Sequence, residues 1–587
     1  MAVSDSTYEI VSARVAAAQI LEARGAYYAL YGAGLSVEAG VPTADGICKD
    51  IAKQQLVVHL GPDADIDSPD AKQWLVKNLA WDRLDERYAK CIRTQYVNPA
   101  DRVEFFRRTL RNKSPSFAHH GAALLMKEGI LGPTCFTTNF DKLIENAFAI
   151  QGTGECQALR TGSEIQFWRP DPSRWFCVKL HGDYDTHNVL NTSEETVRVD
   201  PDLRRRSLNL LERHGLVVLG LAGYEKSMYS FFEDLTTEPS LPTGILDRGL
   251  LWGVYVGPKP AEPWDLEKTK SAVRAAIDAG GVGVEIQKTM IRMSKSGVRF
   301  AFFPVFGGGQ FLMDIIEQSG RRGLIGQAEP YLDREMRIRR VFGKAKLSSA
   351  RVDEHLRKLK TSTPHSGNAE ALRRPVERAF ELTRGDRRVW VAYGDIASRS
   401  YLGHAHFDNR LRAVVSPDDT FLSLGGGAAV SLAENAGWRS TIHEVSKFVP
   451  VPQGESRVTS AGNLPVHYII HAATIEVSEA GYGVTREDVR RTFVDVLRRA
   501  SALGVEVLSV PLLGAGVAGL LPEDSFLGLL EAYKSLPDEQ RPAIVIFVVF
   551  EESQLSRSSA RLMMEKTLDT ADGIWSIERW PAPPPVR

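Results

Sequence analysis

Apolar residues along this chain gather into two series of short runs, and helically spaced segments separate the runs within each series. In the first series, 26–31 is an apolar run that stops at Gly32, the pattern of a buried strand entering a glycine turn, and a helix is expected after Pro42. Glu9, Arg14, Glu22 and Arg24 interrupt the apolar positions at the start of the chain, which predicts an amphipathic helix there. From about 50 to 113, Leu, Trp and Tyr recur at helical spacing among many charges, which predicts a helical insertion. A helix over 118–127, a strand over 134–138 and a helix over 141–148 follow. Strands are then expected over 176–180, running into His181, over 216–221 and over 250–256. The stretch from Phe302 to Gln310 ends in Gly307, Gly308 and Gly309. The second series starts near Arg388, with strands expected over 389–393, 411–415, 468–471, 507–511 and 543–550. Short apolar strands alternating with helices define an α/β protein, and in the first series a doubly wound parallel sheet.

Length and linkers divide this pattern into domains. The chain has 587 residues, too many for one ordinary core. A basic helical stretch with Arg337, Arg339, Arg340, Lys344 and Lys346 separates the two series, and the polar segment 360–367 reads as a linker. The expected organisation is a first domain over 1–320 with its insertion near 50–113, a helical connector over 321–384, a second domain over 385–570 and a proline-rich tail over 571–587. The end of that tail, 580–587, is expected to be disordered. Lys and Arg total 72 against 73 Asp and Glu, a formal charge of −1, which gives no global field for nucleic acid or an anionic membrane. The apolar runs are strand length, far short of the roughly 20 residues of a spanning helix, and no charged-then-apolar leader opens the chain. The five cysteines, Cys48, Cys91, Cys135, Cys156 and Cys177, form no CxxC pair, so no structural zinc site is expected and reduced thiols in a cytoplasm are. The insertion and the basic stretch are candidate interfaces for a homo-oligomer, although most of their charges read as solvated surface.

Candidate chemistry gathers at predicted strand ends. Gly32-Ala33-Gly34-Leu35-Ser36 follows a strand; glycines there let the backbone approach a phosphate, or simply serve a tight turn. Gly40-Val41-Pro42-Thr43, Thr137-Thr138-Asn139-Phe140-Asp141 and Lys179-Leu180-His181-Gly182-Asp183 come next in order. In open α/β sheets, ligands bind outside the carboxyl ends of the strands, so these segments should converge on one crevice. An amide such as Asn139 can position water or a ribose hydroxyl. A carboxylate such as Asp141 can offset oxocarbenium charge, and a histidine such as His181, titrating near neutral pH, can accept a proton.

That set of motifs, with Ala118-His119 and Leu219-Gly220 followed by Tyr224, resembles the sirtuin (Sir2-like) family over the chain up to about 300. The resemblance implies NAD as substrate. Gly32, Ala33, Gly34 and Ser36 would hold its phosphates, with Thr138, Gly220 and Tyr224 completing the pocket. Asn139 and Asp141 would lie against the nicotinamide ribose, His181 would be the catalytic base, and His119 would pack or cap. The four-cysteine zinc module of classical deacylases in that family has no counterpart here. Val41-Pro42-Thr43-Ala44-Asp45-Gly46 stands where a Phe-Arg pair is usual. In this the chain is closer to the sirtuin-like NAD-hydrolysing effectors of bacterial antiphage systems of the Thoeris type.

The second series carries Gly394-Asp395-Ile396, Ser416-Pro417-Asp418-Asp419, Gly425-Gly426-Gly427, and Gly514-Ala515-Gly516-Val517-Ala518-Gly519, again at strand ends. Two glycine loops far apart in sequence suit a ligand with two phosphates, or two tight turns. Order and spacing resemble a macro domain over roughly 385–565. By resemblance, Asp395 would bond the adenine amine and Ile396 pack on its ring, Gly425 to Gly427 would approach the distal ribose, and Gly514, Ala515, Gly516, Val517, Ala518 and Gly519 would cradle the pyrophosphate. Ser416 to Asp419 replaces the Asn-Ala-Ala-Asn run common in hydrolytic macro domains, which favours binding over hydrolysis; Asp418 or Asp419 would contact a ligand hydroxyl or form a turn. The whole chain then reads as an NAD glycohydrolase activated by an ADP-ribose-type nucleotide, linear or cyclic, with no metal. The alternatives are an NAD-dependent deacylase or ADP-ribosyltransferase with a macro reader or eraser, and a non-enzymatic nucleotide sensor.

Overall fold

A computed structural model describes residues 8–61, 64–110, 113–152, 154–166, 174–184, 188–189, 200–224, 226–237, 244–260, 264–344, 347–362, 376–403, 409–568 and 576–578. The chain divides into two units, Met1–Tyr331 and Leu332–Arg587.

In the first unit the apolar runs become strands buried at nearly every position, as strands covered on both faces of a parallel sheet must be. They are β1 (Glu9–Ile10), β2 (Tyr27–Tyr31), β3 (Thr134–Thr137), β4 (Cys156–Leu159), β5 (Trp175–Lys179), β8 (Gly215–Leu219), β9 (Gly249–Tyr255) and β10 (Phe300–Val305); β6 (Gly182–Asp183) and β7 (Asn188–Val189) form a separate antiparallel pair. The eight-stranded sheet runs β1-β10-β9-β8-β2-β3-β5-β4, with every neighbouring pair parallel. The chain leaves β2 in one direction through β3 and β5 and later returns on its other side through β8. The loops after β8, β2, β3 and β5 therefore share one edge of the sheet at the point where strand order reverses. The first helix, Ala13–Glu22, is capped by Ser12, which accepts from Val15 N.

The insertion forms four helices, Ala44–Leu60, Pro69–Leu79, Leu84–Gln95 and Pro99–Leu110. It has its own core, in which Ile51, Leu56, Leu75, Cys91, Ile92 and Phe106 are buried. Phe140, Leu143 and Tyr184 from the strand-end loops join that core. The insertion is thus anchored to the site loops through apolar contacts as well as carrying a charged surface.

The second unit has a nine-stranded mixed sheet. Its strands are β11 (Glu377–Arg384), β12 (Arg387–Tyr393), β13 (Arg412–Asp419), β14 (Ser456–Ser460), β15 (Tyr468–Ser478), β16 (Gly481–Gly483), β17 (Val507–Pro511), β18 (Ile544–Val549) and β19 (Ser576–Glu578). The order is β14-β15-β13-β17-β18-β12-β11-β19, with β16 paired to β15. The middle five strands, β15 to β12, are parallel, and antiparallel strands flank them.

Three expectations change here. The connector divides between the units: helix Arg322–Ala328 belongs to the first, and helices Arg334–Lys344 and Ser349–Ser362 to the second. Ile338, Val341, Phe342, Val352 and Leu356 of the latter pair are buried against Val477, with Phe421 and Val517 packed alongside, so this pair is part of the second unit's fold. The expected linker begins inside helix Ser349–Ser362, and 363–367 lies outside the described residues, as do Lys346 and 580–587. Finally, Ser576–Glu578, expected in the tail, pairs with β11 as a sheet strand.

Candidate functional site

Ser36 is the hub of the first unit's strand-end loops. The glycine loop after β2 forms two consecutive 3-10 turns, Ala33–Leu35 and Val37–Ala39, and Ser36 lies between them with no exposed surface. Its hydroxyl donates to Asp141 Oδ2 at 2.9 Å and accepts from Asn139 Nδ2 at 3.1 Å. The third partner is His119 Nε2 at 3.1 Å. His119 Nδ1 accepts from Ser116 N at 3.2 Å, so the proton of a neutral ring sits on Nε2 and that nitrogen donates to Ser36. Burial pushes His119 down to about 4, outweighing the opposing Asp141 charge, so the ring is neutral at physiological pH. One hydroxyl proton and two lone pairs are then all used within the protein. Ser36 holds loops together here and has no capacity left for a phosphate, a difference from the expected role. His119 does cap its helix, Phe117–Lys127, as expected, and also belongs to this network.

The same bonds orient Asn139. Its amide nitrogen donates to Ser36 Oγ and to Gly32 O at 3.2 Å, which turns the amide oxygen away from both. Asp141 Oδ1 accepts from Leu143 N at 3.1 Å, so both carboxylate oxygens are held. His181 is brought alongside by two backbone bonds that bracket it: Leu180 N donates to Thr137 O at 2.9 Å and Tyr184 N to Phe140 O at 3.3 Å. Burial depresses its pKa to about 4, so it is a neutral acceptor over a wider pH range than an exposed histidine.

Beneath this site lies an ion cluster whose members the sequence showed without their role. Lys179 is fully buried at the end of β5 and donates to Asp141 O. Its ammonium lies 3.1 Å from Glu145 Oε1 and 3.7 Å from Asp183 Oδ2. Arg160 reaches Asp183 at 3.3 Å. Burial alone would lower the lysine's pKa, but Glu145, Cys177 and Asp183 outweigh it and hold it high, so the charge is retained. Lys179 thereby pins the Asn139–Asp141 loop to the strand that presents His181.

The remaining first-unit residues divide. Thr138 N donates to Tyr31 O at 3.2 Å at the loop start. Gly32 and Gly34 approach Gly220: a Cβ on Gly32 would meet Gly220 O at 2.4 Å, and one on Gly34 would meet Gly220 Cα at 2.7 Å. Gly220, at φ +71°, cannot carry a Cβ without meeting Leu35 N at 2.5 Å. Ala33 sits between these glycines. Tyr224 is not tied to the Ser36 network; its hydroxyl donates to Gly280 O.

In the second unit, Asp395 and the glycine loops follow parallel strands, and Asp418 and Asp419 end strand β13, at one sheet edge. Asp395 Oδ1 accepts from Ala397 N at 2.9 Å, its Oδ2 lies 3.4 Å from Ser431 Oγ, and burial raises its pKa. Ile396 is in the core with Trp390 and Val414, where the protein itself packs it. Pro417 to Asp419 continue strand β13, while Asp419 closes a turn: Oδ1 accepts from Phe421 N at 2.8 Å and Ser423 N at 3.3 Å, and Oδ2 from Ser423 Oγ. Asp418 accepts from Ser416 Oγ at 2.8 Å, Leu424 N at 3.2 Å and His471 Nδ1 at 3.0 Å. Both carboxylates are thus hydrogen-bonded within the protein, and Asp419 closes a turn. Gly425 is buried, whereas Gly427, Gly516 and Gly519 have open space where a Cβ would stand. Helix Gly427–Ala436 starts at Gly426 without a side-chain cap. Ala515 and Ala518 line the Gly514–Gly519 loop, whereas Val517 packs on Ile338 and Phe342.

Among the described residues, no group of three His, Cys, Asp or Glu side chains is placed to hold a metal ion, and no helix is long and apolar enough to cross a membrane.

In each of the two α/β units, polar groups and glycine loops gather at the carboxyl ends of parallel strands, where ligands bind in open α/β sheets. A family model described as a SIR2-like domain matches residues 133–244, and one described as a macro domain matches 415–526; the chain contains both domain types. Together they support a function connected with NAD or ADP-ribose. An uncharacterized protein of Aeropyrum pernix is 37% identical over 138 residues, 24% of this chain and 66% of that protein. An uncharacterized protein of Mycobacterium tuberculosis is 31% identical over 140 residues, 24% of this chain and 37% of that protein. The chain thus spans between about a third and just under two thirds of these relatives. Among solved structures, the Oceanobacillus iheyensis macrodomain with ADP is 18% identical with a TM-score of 0.27, covering 33% of this chain and 98% of that one.

Proposed function

We propose that the first unit is an NAD+ glycohydrolase, releasing nicotinamide and ADP-ribose, and that an ADP-ribose-type nucleotide bound at the second unit activates it. The closed Ser36–His119–Asn139–Asp141 network, with His181 bracketed beside it, carries the reading. Cleavage breaks the bond between ribose C1′ and the nicotinamide nitrogen, and nicotinamide departs with the bonding electrons. Positive charge develops on the ribose, where the buried Asp141 carboxyl offsets it. The Asn139 amide oxygen, turned away from the protein's own acceptors, orients water toward C1′. Neutral His181 accepts the proton that the water releases as the new C–O bond forms. Gly32 and Gly34 donate their N–H groups to Leu219 O and Gly220 O and pack on Gly220, so this loop shapes the site, and Ser36 is not a phosphate ligand.

The second site fits the proposed ligand through glycine positions that open onto empty space, Gly427, Gly516 and Gly519, because a pyrophosphate needs backbone within reach. In a cell such an enzyme depletes NAD, and the domain pairing suits an antiphage effector. The test is nicotinamide release from NAD by the full chain, with and without added ADP-ribose, in wild type, His181→Ala and Asn139→Ala. Release that rises with ADP-ribose and is lost in both variants is expected. Release only in the presence of an acyl-lysine peptide would replace hydrolysis with deacylation.

A further inference from the structure

The loop that joins β13 to Gly425-Gly426-Gly427 is built in a conformation its own residues disfavour. Leu422 and Leu424 both lie in the left-handed region, at φ +45° and +53°, although each bears a branched side chain and is fully buried. Such residues persist only where the surroundings over-determine them. On the N–H side of the loop the determinants are Asp419, which accepts from Phe421 N and Ser423 N, and Asp418, which accepts from Leu424 N. On the carbonyl side the determinant is Arg337. Its guanidinium is buried and spreads two N–H groups over consecutive carbonyls, Nη1 to Ser423 O at 2.6 Å and Nη2 to Leu422 O at 2.9 Å.

Arg337 belongs to helix Arg334–Lys344, in the stretch that joins the two series of strands. Phe342 on the same helix meets Phe421 of the loop edge to face, with ring centroids 5.6 Å apart. Val517, from the second glycine loop, packs in the same cluster as Ile338 and Phe342. One helix therefore supports both loops that the ligand would touch. A planar fork is needed for this, because two adjacent carbonyls with a reversed backbone between them require two donors at fixed separation.

We infer that Arg337 is a positioning residue for the nucleotide site of the second unit: it fixes the loop 420–427 in its ligand-accepting shape while lying outside the ligand's reach. The inference rests on the reading that an ADP-ribose-type nucleotide binds there, and it assigns the helix before the second domain a part in recognition.

The test uses the full chain as wild type, Arg337→Lys and Arg337→Ala, with ADP-ribose titrated calorimetrically and amide exchange followed over residues 420–426. Arg337→Lys keeps the charge and loses the fork. It should weaken ADP-ribose by about tenfold or more and speed exchange at Phe421, Ser423 and Leu424. Arg337→Ala should lose more, and low-millimolar guanidinium, filling the vacated site, should restore affinity and loop protection in that variant alone. A general packing defect would not respond to guanidinium, so failure of that rescue overturns the inference, as does Arg337→Lys with wild-type affinity and wild-type exchange. If Arg337→Ala does not fold, Arg337→Lys decides. A wild type that does not bind ADP-ribose refutes the ligand proposed above, and exchange in Arg337→Lys still decides whether the arginine shapes the loop.

Discussion

The two units present glycine loops that look alike in sequence and differ in physical cause. Gly32 and Gly34 are glycines because another stretch of the same protein, at Gly220, occupies the space a side chain would need. Gly427, Gly516 and Gly519 face nothing within 4 Å of where a Cβ would stand. The first loop is a backbone-to-backbone seam that holds strand ends together around Ser36, and the second group faces open space, where the proposed ligand would lie. A glycine motif after a strand therefore does not by itself announce a phosphate. The space around the missing Cβ identifies Gly32 and Gly34 as packing glycines, whereas positive φ at Gly427 and Gly519 favours glycine there.

Alanine substitution should break the two in opposite ways. Gly32→Ala needs no change of backbone region, since φ is −107°, so its cost is steric alone. With backbone atoms at 2.4 to 2.9 Å from the new methyl, it should destabilise the first unit by about 3 kcal/mol or more in urea unfolding. Near-wild-type stability would show that the seam can open and that the glycine answers to a ligand after all.

Acid should also act on the first unit. His119 and His181 have folded-state pKa values lowered by burial from 6.5 to about 4. A depressed base contributes stability that is present above pH 6.5 and is lost as pH falls through about 4, because the unfolded chain takes up the protons first. Between pH 7 and pH 5 each histidine should remove about 2 kcal/mol from the first unit, read as a fall in its thermal transition. His119→Gln should abolish its share of that slope; an unchanged slope would mean that the ring is not buried as described.

Gly516→Val tests the other side of the comparison. The new side chain enters open space, so stability should change by no more than about 0.5 kcal/mol, while ADP-ribose binding weakens by about tenfold. Unchanged binding in a folded variant would remove the second loop from the ligand site.

These tests concern contacts that the sequence only partly displayed. Strands such as Tyr27–Tyr31 and Ile544–Val549 were legible because burial on both faces demands continuous apolar runs. Strands near the sheet margins were not: Glu377–Arg384 mixes charged and apolar residues, and Cys156–Leu159 is too short to stand out. Of the site, Asn139, Asp141 and His181 were legible because they follow strand ends. His119 was not, since a histidine in a first helical turn looks like a cap, and here it caps and donates to Ser36 as well. Lys179 precedes His181 at a predicted strand end, but only the register of β5 beside β3 shows that it pins Asp141. Arg337 was hidden among basic neighbours whose charges read as surface.

The smallest expected effect carries the opposite sign and belongs to the second unit. Asp419 is fully buried, and burial raises its pKa to about 6; the nearby Asp418 adds to the rise, while bonds from Ser423 and Phe421 oppose it. A raised acid contributes stability that is fully present below its unfolded value of 3.8 and is lost as pH rises through about 6. Taking pH from 7 to 5 should therefore add about 1 kcal/mol to the second unit through this one group, against the loss that the buried histidines impose on the first. Asp419→Asn keeps the size and an acceptor for the Phe421 and Ser423 amides but cannot titrate. The comparison of its unfolding at the two pH values with that of wild type isolates the term. If the variant and wild type respond to pH alike, Asp419 stays ionised in the folded protein down to pH 5, and burial does not raise its pKa into this range.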